Sequence, residues 1–258
     1  MRVPSDVSEL GRSFSFPFRH PAWLQRLAVG AALELIPLLL VLPVILVAVG
    51  RWHRPFWPSL MLLPVAAVVA LICRFLVLGY LRRTAKGVLN GTSDGLPAWD
   101  HPAEDLVEGL KIWIVAVVLS LPAIAVTVGA MFLVMALASP SAAWVPAVLL
   151  GPPAAFVTVV YLPAGLLATV AEGEVTAAFN FERVANTIGR AFGPYALAFL
   201  LAIAAEIIAQ FGLLLCCVGI FATRFAAHCV AVHAFSTAYR QGMAPAVAPV
   251  AGPGEGAI

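Results

Sequence analysis

Apolar residues run along this chain in long unbroken blocks, not in the one-sided or alternating patterns of a water-soluble fold. The first block, Leu27–Val49, is 23 residues long and is interrupted by one charge, Glu34. Further blocks follow at 59–80, 112–138, 142–170, 195–215 and 217–239. A helix needs about 20 mainly apolar residues to cross roughly 30 Å of hydrocarbon. The pattern therefore predicts an all-α integral membrane bundle of six transmembrane helices over residues 27–240. The first block is too long for a signal-peptide core and is read as an uncleaved span, with Pro37 and Pro43 as kink points. Gly151-Pro152-Pro153 interrupts the fourth block, because proline removes a helix donor. Either that span is kinked, or 142–150 lies at the interface and 154–170 does the crossing.

The polar stretches between the blocks are few. Residues 1–26 mix Arg2, Arg12, Arg19 and Arg26 with Phe14, Phe16, Phe18 and Trp23, which suits a headgroup-level segment on the cytoplasmic side. The connector Gly50–Pro58 is short and rich in Trp and Pro, and Ser139-Pro140-Ser141 reads as a turn. Leu78–Lys111 is the longest run of dense charge. Ala171–Gly193 is amphipathic, with Phe181, Val184, Ile188 and Phe192 at helical spacing, and reads as a helix on the membrane surface or an ordinary packed helix. Residues 241–258 are rich in Ala, Pro and Gly, and are expected to be disordered. Three segments of aromatic or amphipathic character, Phe14–Arg26, Trp99–Lys111 and Phe179–Phe192, each precede a pair of spans, which suggests an internal repeat.

Composition agrees with lipid as the solvent. The chain is 62% hydrophobic and 11% charged, whereas a soluble domain carries roughly 25% charged residues. A net charge of +2 gives no reason to expect nucleic acid. Placement matters more than the sum. With the N-terminus inside, Arg2, Arg12, Arg19, Arg26, Arg82, Arg83, Lys86, Lys111, Arg183, Arg190 and Arg240 fall on one side, eleven against two, Arg51 and Arg54, on the other. Such a bias predicts cytoplasmic termini and a cytoplasmic connector.

Four charges remain inside the blocks: Glu34, Arg74, Glu206 and Arg224. Each costs about 2.5–3.5 kcal/mol on insertion scales. Folding each hairpin about its turn puts Glu34 level with Arg74 and Glu206 level with Arg224. Two structural ion pairs are the plain reading. The sharper one is a polar pathway to which Gln210, His228 and His233 contribute, with Gln210 four residues after Glu206 on the same helix face.

The cysteines, Cys73, Cys216, Cys217 and Cys229, lack metal-type spacing and read as small buried hydrophobes. His101, Glu104, Asp105 and Glu108 cluster, but Asp100 followed by Pro102, Glu104 and Asp105 has the form of a capped helix start. Glu104, Glu108 and Lys111 can pair along one face. No phosphate-binding glycine loop, nucleophile elbow or zinc-protease motif is present, and no cofactor is expected.

The connector carries a resemblance. Leu78-Gly79-Tyr80-Leu81-Arg82, then Asn90-Gly91, then Leu96-Pro97-Ala98-Trp99-Asp100, then Glu108-Gly109-Leu110-Lys111 resembles the signature of the bacterial and archaeal membrane family called domain of unknown function 4013. The later stretch with Phe179, Phe181, Gly212 to Cys216 and Gly219 is similar to the family's second half, so the likeness covers roughly 14–240. The chain departs from the pattern at His101-Pro102 and in a longer first hairpin. The resemblance implies a multi-pass protein of a prokaryotic plasma membrane and implies no reaction. For the motif itself, Trp99 is expected to anchor at the headgroups, Leu96-Pro97 to set the chain's angle, and Asp100 to cap the next helix. The leading functional expectation is a scaffold or accessory subunit that docks a membrane or cytoplasmic protein at its cytoplasmic face. A small transporter or channel using the intramembrane Glu and Arg residues comes second, and a lipid-modifying enzyme built on the cluster near His101 third.

Overall fold

The computed structural model describes residues 11–49, 62–93, 95–137, 144–214 and 219–244. The expectations for Gly50–Pro58, for the turn at 139–141, for Cys216 and Cys217 and for the tail beyond Ala244 lie outside these residues, while 241–243, expected to belong to the disordered tail, are helical. Among the described residues the fold is all helical: α1 (Trp23–Val49), α2 (Leu62–Leu89), α3 (Pro102–Leu137), α4 (Trp144–Glu172), α5 (Phe181–Arg190), α6 (Phe192–Gln210) and α7 (Gly219–Met243). Short 3-10 turns stand at Phe16–Phe18, Val175–Phe179 and Phe211–Leu214.

Five stretches are long and apolar enough to cross a membrane: Trp23–Leu42, Leu63–Leu89, Pro102–Leu137, Trp144–Glu172 and Phe192–Leu214. The sixth expected span, α7, carries Arg224, His228, His233 and Arg240 and does not reach the apolarity of the other five. Its place in the fold explains why. It packs against α1, α2, α4, α5 and α6. Phe225, Cys229, Ala234, Ser236 and Ala238 on it are wholly enclosed. A helix surrounded by protein has no need to match hydrocarbon.

The outer helices show the reverse. On α3, Val126 is 56%, Phe132 66% and Leu137 78% exposed. Large apolar side chains left outward over a whole helix need a partner or lipid to cover them. The fully buried residues of α3, Asp105, Gly109, Ile112 and Val115, all lie toward its N-terminal end, and the rest of the helix packs on one side against α4.

Several expected boundaries move. The second span does not stop at Tyr80 but continues to Leu89, so Arg82, Arg83 and Lys86 sit on helix. The third begins at Pro102 instead of 112, and the connector shrinks to 90–101. The fourth is one helix from Trp144 to Glu172, with Pro152, Pro153 and Pro163 inside it. Prolines are tolerated in membrane helices because neighbours and local adjustments re-satisfy the freed backbone groups.

The 171–193 stretch becomes a 3-10 turn followed by α5, capped by the Asn180 side chain accepting from the Arg183 backbone N–H. Its expected apolar row divides: Val184 and Ile188 turn inward, while Phe181 and Phe192 are exposed. Thr187 joins Val184 on the buried side and lies against Gly242 of α7. A Cβ on Gly242 would press into Thr187, so the glycine sets how closely α5 meets the central helix. Of the three repeat-like segments, the first contains a 3-10 turn, the third starts on the last residue of one, and the middle one lacks it. At the N-terminal end Phe16 is fully buried against His233, while Phe18 is exposed.

Candidate functional site

Two polar regions stand out. The first is the connector, where the family-motif residues close on each other. Gly79 on α2 and Gly109 on α3 face one another's helices. A methyl group on Gly79 would overlap the Asp105 carbonyl, and one on Gly109 the Phe75 carbonyl. These glycines let two backbones touch, as small residues do at membrane helix crossings. Tyr80, fully buried, donates its hydroxyl to the Pro97 carbonyl at 2.9 Å and stacks on Trp99 with ring centroids 3.9 Å apart. Trp99 Nε1 donates to the Arg26 carbonyl at 3.0 Å. Arg26 in turn donates to the Leu96 carbonyl. The expected headgroup anchor is thus a bracket between α1 and α2.

Arg83 completes the bracket. It donates to Asp100 at 2.5 Å, to the Ala98 carbonyl at 2.8 Å and to Asp105 at 2.8 Å. Asp100 was expected to cap α3, but the helix starts at Pro102 and the first intrahelical acceptor is the His101 carbonyl. The Arg83 guanidinium beside Asp100 holds its carboxyl below the usual carboxylate range. Glu108 pairs with Lys111 at 2.7 Å, as its spacing predicted, and also with Arg82 at 3.2 Å. Asn90-Gly91 ends α2. Gly91 has φ +70°, its N–H bonds the Val88 carbonyl, and Thr92 N–H bonds the Gly87 carbonyl. This is a Schellman cap, which needs a residue free to adopt left-handed backbone. Sequence reasoning missed Arg83 and Arg26 in this bracket. The doubled Arg82-Arg83 was a signal, but it could not say which arginine faces inward.

The second region lies within the bundle. His228 of α7 sits between two glutamates from different helices. Its Nδ1 is 3.2 Å from Glu34 Oε1 of α1, and its Nε2 is 3.4 Å from Glu206 Oε1 of α6. The Glu34 contact is too poorly aligned to be a hydrogen bond, which leaves two buried polar atoms facing each other. Neither expected ion pair forms among the described residues: each glutamate meets the histidine in place of its arginine. Matched depth set which residues share a level. It could not set which way each points around its helix.

Arg74 and Arg224 are nevertheless close by. With Glu34 and His228 they line a cavity of about 200 Å³ between α1, α2 and α7. A second cavity of about 260 Å³ has Arg74 and His228 in its lining too, and is otherwise walled mainly by apolar residues of α2, α4 and α7. The chemistry follows from proton counting. A neutral imidazole has one N–H and one acceptor nitrogen. Between two ionised carboxylates one contact would be repulsive. The row is attractive on both sides only when it holds an extra proton, on the histidine or on a glutamate.

The remaining candidates lie apart from this row. Gln210 is exposed and donates to the Glu206 backbone carbonyl at 3.4 Å. His233 is buried, 2.8 Å from Ser13 Oγ. Cys73 and Cys229 are buried free thiols. Asp105 turns to Arg83, so the acidic cluster near His101 does not converge.

Long apolar helices, outward apolar side chains and a polar central helix define an all-helical integral membrane protein. The family model described as "Protein of unknown function (DUF4013)" matches residues 62–218, more than half of the chain, and the chain belongs to that family. No curated protein and no solved structure matches it. The matched residues include the part of the bracket from Gly79 to Lys111, together with Arg74 and Glu206, while Arg26, Glu34, Arg224 and His228 lie outside the match.

Proposed function

We propose that this protein is a small membrane transporter in which Glu34, His228 and Glu206 carry a proton. The observation behind this reading is the single imidazole held between two carboxylates from separate helices, with two cavities opening onto it. Intramembrane ionisable residues that face a bundle interior mark proton or ion pathways. Histidine is the side chain that exchanges protons most readily near neutral pH. The excess of arginine and lysine at the bracket end supports a prokaryotic plasma-membrane protein with that end in the cytoplasm.

The docking expectation has less behind it. It rested on polar residues concentrated at the bracket end, and there Arg82, Arg83, Asp100, Asp105 and Glu108 are engaged with one another.

The test is proton flux into liposomes carrying the purified protein, driven by a potassium diffusion potential and read by an internal pH dye. Wild type is expected to acidify the interior. Glu206→Gln, which keeps shape and removes the titrating group, is expected to slow this by roughly 100-fold, the scale of a positioned proton-transfer group. Equal rates in the two proteins, or none in either, would remove the reading.

A further inference from the structure

We infer that Arg74 and Arg224 form a binding site for a small organic carboxylate, and that Glu34 is its built-in competitor. The inference rests on the transport reading and names the class of solute that the same region takes. The cavity of about 200 Å³ is lined by two arginines and one carboxylate. Among the described residues neither arginine makes an ion pair, because Glu34 is in contact with His228. A guanidinium presents a planar fork of donors that matches a carboxylate in two-point geometry. His228 and Cys73 also reach the lining, and Leu33, Pro37, Val77 and Phe221 supply most of its apolar wall. An acid with a hydrocarbon body suits such walls better than an inorganic anion.

Glu34 sets how tightly the acid is held. The groups around it are Cys73 and Arg74 from α2, and Arg224, His228 and Cys229 from α7. Glu206 of α6 reaches only the far nitrogen of His228. A carboxylate at position 34 shares the cavity with the incoming anion and competes with it for both arginines. Removing that charge therefore raises affinity for the acid. A charge within about 4–6 Å is worth about a tenfold change in affinity or more.

The probe is radiolabelled benzoate, measured by scintillation proximity on the purified full chain in nanodiscs. At neutral pH wild type is expected to bind it, and benzamide, which has the same shape without the charge, should not compete. Glu34→Gln should bind about tenfold more tightly than wild type. The double variant Arg74→Gln/Arg224→Gln should lose binding. Competition by benzamide, Glu34→Gln binding no tighter than wild type, or a double variant that binds normally would each overturn the site. If the double variant does not fold, Glu34→Gln still decides: affinity equal to wild type removes the inference. Proton flux without benzoate binding leaves the transport reading and sinks this one; binding without flux does the opposite.

Discussion

Helices α3 and α7 are built on opposite plans. The first is strongly apolar, and the most apolar part of it has no buried residue. The second carries four basic or imidazole side chains and has most of its length enclosed by five other helices. In water the order would be reversed, with the apolar helix inside. Here hydropathy reports contact with lipid, and polarity reports contact with protein. A charged side chain facing hydrocarbon is costly, whereas one facing other helices can find a partner.

The largest effect is expected where α3 is fastened. Gly109→Leu places a side chain into the backbone of α2, which has no flexible group there to give way. The α2–α3 crossing should separate, with loss of monodisperse protein after detergent extraction. Normal yield and an unchanged elution profile would show that the crossing is looser than described.

Next comes a direct comparison of the two plans. Phe225→Ala on α7 empties a fully enclosed position and should cost about 3–5 kcal/mol, as buried aromatic truncations do. Ile124→Ala on α3 removes a side chain that is 54% exposed. Lipid can fill that space, so the cost should stay within about 0.5 kcal/mol, the range of substitutions that touch nothing. Unfolding titrations in mixed micelles would measure both. Similar losses would mean that α3 is covered by protein.

The smallest effect concerns the bracket. Asp100 titrates below its ordinary value because Arg83 holds it. Its contribution to stability is thus complete above the unfolded-state value of about 3.9 and fades as pH falls through the lower folded-state value. Acid unfolding of wild type and Asp100→Asn should differ above that window and converge below it. Curves that stay parallel throughout would show that the ion pair contributes nothing.

The same contrast explains what could be read in the sequence. The outer helices were legible because lipid imposes one chemical demand on every residue facing it. Residues 142–170 illustrate the limit: the prolines were visible, yet they do not break the helix. The bracket was legible as a motif, but not as contacts. Tyr80, Trp99 and Asp100 were singled out, while their bonds to Pro97, Arg26 and Arg83 depend on how the chain from 92 to 101 doubles back. In the interior, Glu34 and Glu206 were found as costly charges. Their shared partner was not, because helix rotation decides it and depth arithmetic is blind to rotation. His228 was visible among the polar residues, but its central position follows only from α7 being in the middle.

That middle position bears on biosynthesis. The Arg240 guanidinium near the end of α7 donates to the Val88 carbonyl at 3.1 Å, joining positions 152 residues apart. Chains leave the ribosome from the N-terminus onward. The outer helices are therefore made before α7, and leave a gap among them until it arrives. A ribosome stalled before Gly219 would leave the faces of Phe16 and Tyr80 that meet His233 and Phe225 uncovered.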